Sequence, residues 1–528
     1  MTSTSPIKRL FSSLIVLSGV LLLSPSSRAQ LRSVQQRTAS GVLEGVVSAD
    51  GKVRTFKGVP YAAPPVGLLR WKPPQPAAPW TGVRNATDYG PRCMQTRVFD
   101  DMIFHDAGPS EDCLYLNLWL PEQHSKARLP VMVWVYGGGF VAGSTSEPRQ
   151  DGGNLSKKGV LVVSMNYRLG IFGFFSHPEL SRESGHDASG NYGLMDQVAA
   201  LKWVHDNIAD FGGDPDNVTI FGESAGSSSV SALMASPLAK GLFRRAIGES
   251  GALFNSSRPM KPRSETEKLG VEFAKSIGAE SLEALRAKPS ADILEAAAKK
   301  GAPEFRPNVD GYFLPESVEA IFYAGKQSHA PLLAGWNADE GNYRSIFEKE
   351  TPSPEAFSTK VRELYGSNAE AILKLYPASN VDQAKRAASD LAGDRFTALS
   401  TWKWLELQLK TGASPAYRFH FEETLPFPAG APPSPDNEPE APHASEIEFV
   451  FEVLPSKDLP WRPQDQAVSE LMSSYWTNFA KTGDPNGQGL PHWPIYGPTE
   501  YPVMHLNAHS EAKPDNHRAR YKLLATLD

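Results

Sequence analysis

"NVTIFGESAGSSSVSALMASP", Asn217 to Pro237, passes from a β-rich run through a glycine-flanked serine into small and apolar residues at helical spacing. The centre, Gly222-Glu223-Ser224-Ala225-Gly226, has the G-x-S-x-G form of a nucleophile elbow. In such an elbow the chain turns so sharply that strand and helix nearly touch, and a side chain at either glycine would clash. The turn throws the serine hydroxyl into the open. A glycine-rich helix start capped by serine reads the same five residues without chemistry, so the assignment depends on partners.

A serine hydroxyl attacks poorly until a base takes its proton, and in this arrangement a carboxylate and then a histidine follow the serine along the chain. The histidines beyond Ser224 are His329, His420, His443, His492, His505, His509 and His517. His443 precedes "ASEIEFVF" on a loop entering regular structure, where a base can reach the top of a sheet. His420 alternates with apolar neighbours in "AYRFHFE" and reads as a strand residue, as does His505. For the acid, "PLLAGWNADEGNY" ends a buried run and then presents Asp339 and Glu340; spacing alone does not choose between them.

Upstream, "VMVWVYGGGF" (Val131 to Phe140) is a second β-run stopped by Gly137, Gly138 and Gly139. A hairpin turn, a phosphate cradle, a linker, or a backbone held close to a ligand would each account for the glycines. Further apolar runs at 160–163, 218–221 and 332–333 alternate with helical stretches. The best of these is "GLMDQVAALKWVHDNIADFGG", where Leu194, Val198, Leu201, Val204 and Ile208 share one face and Gly212 with Gly213 stops the helix. Short strands without polar alternation are buried on both faces, which predicts an α/β fold with a mainly parallel sheet covered by helices. Chemistry in that architecture gathers at the carboxyl ends of the strands.

The 528-residue chain is 41% hydrophobic and 21% charged, a globular composition, and its formal charge of -6 without a basic tract argues against a nucleic-acid partner. Lys8 and Arg9 precede an apolar stretch, Leu10 to Leu23, and Ser27 with Ala29 follow at signal-peptidase spacing, so residues 1–29 read as an export signal and the protein as secreted or periplasmic. That stretch is shorter than the roughly 20 residues of a spanning helix, so no stable membrane anchor is expected. Residues 30–528 then form one domain. Cys93 and Cys113, the only cysteines, are expected to pair in an exported protein. The proline-rich segment 425–443 reads as a long loop within the domain, and no motif implies a metal or other cofactor.

These residues together resemble the type-B carboxylesterases, the cholinesterase-like α/β-hydrolases. The likeness runs from "FKGVPYAAPPVGLLRWKPPQP" and "SEDCLYLN" through the glycine triplet, "GNYGLMDQVAALKWVHDNIADFGGDPDNVTIFGESAG", "LFRRAIGESGA" and "NADEGNY" to "FAKTGDPN" and "WPIY". It implies an α/β-hydrolase fold with helical insertions over the active site, and a Ser224/Glu340/His443 triad, choosing Glu340 over Asp339. It implies an oxyanion hole from the backbone N–H groups of Gly138, Gly139 and Ala225, a Cys93–Cys113 disulfide, and supporting roles for Glu223 and Ser250. A side chain on either glycine is expected to block the approach to the oxyanion. Tyr136 stands where many esterases have histidine. Residues 94–112 contain no tryptophan, which removes the cation-π platform of a choline site. The expected activity is hydrolysis of neutral small-molecule esters through an acyl-enzyme. Amide or thioester cleavage, or a non-catalytic adhesion role, are the alternatives. Helical additions at 253–307 and 346–411 are expected to line the gorge.

Overall fold

The structure is a computed structural model, and it describes residues 1, 31–123, 127–254, 259–428 and 440–527. The expected export segment lies outside the described residues, as does most of the proline-rich loop. No helix among the described residues is long and apolar enough to cross a membrane.

The β-run before the elbow extends to Gly213–Glu223 and lies at the centre of a 13-stranded sheet. Leu129–Val135 pairs with it on one side and Arg245–Glu249 on the other, both parallel. Leu161–Met165 extends the parallel block past Leu129–Val135, while Leu332–Asn337, Ala416–Phe421 and Pro502–Leu506 extend it the other way. Antiparallel strands close both flanks, with Tyr115–Pro121 against Leu161–Met165 and Glu511–Pro514 against Pro502–Leu506. The parallel strands read as unbroken apolar runs because helices cover both faces; Val131 through Val135 are all inaccessible to solvent.

The long amphipathic segment forms the helix Tyr192–Asn207 and a short tighter turn to Phe211, and its five predicted core residues are all buried. It ends where expected, with Gly212 left-handed at φ 85°. His420 and His505 lie in neighbouring strands, paired in register. Cys93 and Cys113 form a disulfide.

The two predicted additions are helical. The first carries Arg263–Ser276, Leu282–Ala287 and Ser290–Ala297; the second carries Pro354–Tyr365, Ala369–Leu375, Val381–Gly393 and Leu399–Thr411. Both reach the cavity over the carboxyl ends of the central strands. The first does so through Leu253 and Arg306 near its ends, and the second through Ala392 to Ser400.

Candidate active site

Ser224 stands between the end of its strand and the helix Ala225–Ala235, at φ 54° and ψ -116°. The conformation is strained for a non-glycine residue and is held by the packing around it. A Cβ on Gly226 would come within 1.9 Å of the Val135 carbonyl oxygen, and one on Gly222 within 2.5 Å of the same atom. Only bare backbone at both positions lets the helix start so close to the neighbouring strand. The Ser224 N–H donates to the Glu249 carbonyl at 2.8 Å, fixing the turn to the next strand.

Two further carboxyl-end loops meet above this turn. Leu332–Asn337 runs out into the loop carrying Glu340, which is tied to the His443 loop. The Asp339 N–H donates to the Ala441 carbonyl at 3.1 Å, and the Asn337 amide donates to the Pro442 carbonyl at 2.8 Å. Asp339 turns away from the histidine: its carboxylate accepts from the Ala441 N–H at 2.8 Å and from Arg386 at 2.7 Å. Glu340 turns in. His443 Nδ1 lies 2.6 Å from Glu340 Oε2, and His443 Nε2 lies 3.0 Å from Ser224 Oγ. The other Glu340 oxygen accepts from the Asn337 N–H at 2.9 Å and from the Ser250 hydroxyl. Sequence spacing left the two acids open, and these hydrogen bonds separate them.

Burial works against charge on Glu340, but His443, Ser250 and Asn337 outweigh it and hold the carboxyl below its ordinary range. A charged carboxylate only accepts, so Nδ1 carries the proton and Nε2 is free to accept from the Ser224 hydroxyl. Burial disfavours the imidazolium, yet Glu223 and Glu340 together outweigh it and raise the His443 pKa above its ordinary value. Glu223 Oε1 lies 3.2 Å from Nε2. Glu223 is itself pushed up by burial, and the imidazolium beside it acts in the opposite direction.

The backbone N–H groups of Gly138, Gly139 and Ala225 donate to no acceptor among the described residues, and all three residues line the cavity that contains Ser224. Ala225 begins its helix, where unpaired N–H groups and the helix dipole favour negative charge. The glycines differ in what they require. A Cβ on Gly138, at φ 107°, would lie 2.2 Å from the Ala142 carbonyl oxygen, whereas one on Gly139 meets only Val141 Cγ2 at 3.7 Å. Crowding therefore explains Gly138 but not Gly139, where the left-handed φ of 64° favours glycine. Gly137, for which no separate role is expected from its motif, is crowded as well: a Cβ there would come 2.5 Å from Glu223 Oε2 and 3.0 Å from Ser224 Cβ.

Tyr136 is buried and stacks on Tyr167 at 4.6 Å, with the Tyr167 hydroxyl donating to the Tyr136 carbonyl at 2.9 Å. It anchors the start of the glycine loop. The far side is held by Gln95, whose amide accepts from the Gly143 N–H at 2.9 Å and donates to the Gly143 carbonyl at 2.8 Å. Gln95 sits two residues past Cys93, so the disulfide loop is stapled to the glycine loop. No motif marks Gln95; only the fold brings it there. Phe396, also missed, packs edge-to-face on His443 at 5.0 Å.

The cavity holds about 1020 Å³, room for a molecule of drug-like size. A serine on a strained elbow, hydrogen-bonded through histidine to a buried carboxylate at the carboxyl end of a mainly parallel sheet, defines an α/β-hydrolase of the serine-hydrolase class. Residues 30–523 match the model of the carboxylesterase family. The chain belongs to that family, and hydrolysis of carboxylic esters is its class of reaction. It is 38% identical to fumonisin B1 esterase of Sphingopyxis macrogoltabida, over 87% of this chain and 84% of that one. It is equally identical, at 38%, to para-nitrobenzyl esterase of Bacillus subtilis, over 87% of this chain and 92% of that one. A solved structure of a PNB esterase superposes with a TM-score of 0.78 at 35% identity, covering 93% of this chain and 99% of that one.

Proposed function

We propose that the protein hydrolyses small-molecule esters through an acyl-enzyme formed on Ser224. The observation that carries this reading is the unbroken hydrogen-bond chain from Ser224 through His443 to Glu340. Ser224 Oγ attacks the ester carbonyl while His443 Nε2 takes its proton. The carbonyl oxygen, now negative, accepts from the N–H groups of Gly138, Gly139 and Ala225, which are in place beforehand. His443 then gives its proton to the departing alcohol, and water repeats the attack on the acyl group. Glu340 fixes the tautomer and stabilises the imidazolium, and Ser250 fixes Glu340. Residues 1–29 act as an export signal, making the working protein a secreted or periplasmic single domain of residues 30–528.

A fluorophosphonate probe is expected to label Ser224, and p-nitrophenyl acetate to give a burst of p-nitrophenol followed by steady turnover. A folded protein that takes no label and turns over no ester would overturn the proposal.

The pH dependence follows from the charges around His443. The imidazole must be neutral to accept the serine proton, so turnover is lost as pH falls through its pKa. Glu223 raises that pKa. Glu223→Gln removes this contribution and is expected to move the acid limb of the kcat/KM profile to lower pH, by about one unit. A limb that stays in place or moves up in pH contradicts the role given to Glu223.

A further inference from the structure

Between the helices Val381–Gly393 and Leu399–Thr411 the chain widens into a π-helical turn, Asp394–Ala398. The extra residue in such a turn rotates the faces of the helix that follows, and this one presents Arg395, Phe396 and Thr397 to the cavity over Ser224. Asp394 points the other way, accepting from the Tyr376 hydroxyl at 2.6 Å with Arg520 at 4.0 Å. The acid next to Arg395 in sequence is therefore committed elsewhere.

The other charges on the cavity wall are matched. Arg149 lies between Glu147, at 3.0 Å, and Asp101, at 3.2 Å; Arg306 pairs with Glu304 at 2.8 Å; Glu340 and Glu223 both face His443. Arg395 is half-buried and makes no ion pair among the described residues, its nearest aromatic face being Tyr365 at 6.0 Å. A half-buried guanidinium without a counter-charge is stabilised by an anion that enters with the ligand. Phe396, the next residue, touches His443, so the turn flanks the reacting centre.

We infer that Arg395 is a specificity-determining residue that binds a free carboxylate on the substrate, and that the preferred substrates are esters of small molecules that retain such a carboxylate. This rests on the ester-hydrolase reading above and replaces the expectation of neutral substrates. The planar fork of the guanidinium suits a bidentate carboxylate contact. A net charge of -6 disfavours anionic substrates at long range, so the preference is local to the cavity.

Two matched pairs test the inference and separate the possible positions of the carboxylate. With the charge on the acyl side, p-nitrophenyl hydrogen adipate is compared with its methyl ester; with the charge on the alcohol side, p-acetoxybenzoate is compared with its methyl ester. At neutral pH the wild type is expected to favour the charged member of at least one pair by about tenfold or more in kcat/KM, mostly through KM. Arg395→Ala should collapse that ratio by about tenfold to a hundredfold, Arg395→Lys should restore part of it, and Arg395→Glu should invert it. Added salt should narrow the wild-type ratio. Neutral esters turned over with no preference in either pair overturn the inference and leave the esterase reading standing. A ratio that Arg395→Ala and Arg395→Glu both leave unmoved also overturns it. A wild type inert toward all four esters and toward p-nitrophenyl acetate overturns the esterase reading, and this inference with it. Should the alanine variant fail to fold, the wild-type ratio and Arg395→Lys decide.

Discussion

Ser224→Ala is expected to lower kcat for p-nitrophenyl acetate by about 10⁴- to 10⁶-fold and to abolish fluorophosphonate labelling, while the melting temperature hardly changes. The magnitude follows from what is removed. Oγ is the atom that forms the covalent bond, and with it gone the base 3.0 Å away has nothing to activate except water. Alanine keeps the backbone donor to the Glu249 carbonyl and occupies the same strained φ, so the elbow is neither relieved nor further loaded. The N–H groups of Gly138, Gly139 and Ala225 remain and supply whatever rate is left over solution. Turnover within tenfold of wild type, checked against contamination by active-site titration, would remove Ser224 from the mechanism.

The sequence carried the parts of the site that depend on local chain geometry. G-x-S-x-G is legible because a sharp strand-to-helix turn tolerates nothing larger at Gly222 and Gly226, and the distances to the Val135 carbonyl are the physical form of that rule. The parallel strands were legible because a strand covered on both faces has no polar alternation. What depends on contacts between distant segments was not legible. Asp339 and Glu340 are adjacent in sequence, and only the tie between the Asn337 and Pro442 loops turns one toward His443 and the other toward Arg386. Gln95 and Arg395 carry no local signal. The first acts because the disulfide loop folds under the glycine loop, and the second because a π-helical turn shifts its face by one residue. The likeness to carboxylesterases singles out Glu340, the acid that faces His443, yet it treats Gly138 and Gly139 alike, and their surroundings distinguish them.

Glu340→Gln tests the orientation of the triad rather than its presence, and its expected effect is a loss of about 10³- to 10⁴-fold in kcat with the fold intact. Gln keeps the size of the buried side chain but has one acceptor and one donor end. The acceptor end is claimed by the Asn337 N–H and the Ser250 hydroxyl, both of which donate to Oε1. That leaves the amide NH₂ facing His443 Nδ1, which must then accept. The ring is forced into the opposite tautomer, with its proton on Nε2 pointing at Ser224, where it can no longer take the serine proton. Charge loss adds to this, since the imidazolium formed during attack loses the carboxylate that faces Nδ1. Glu340→Asp separates the two effects: the charge survives while the reach to Nδ1 shortens, so its loss should be smaller than that of Gln. If Gln were the milder of the two, the tautomer argument would fail and Glu340 would act chiefly by filling space. Measuring both variants across pH distinguishes these outcomes, because the tautomer defect persists at every pH, whereas a purely electrostatic defect moves the acid limb downward and recovers part of the rate at its plateau.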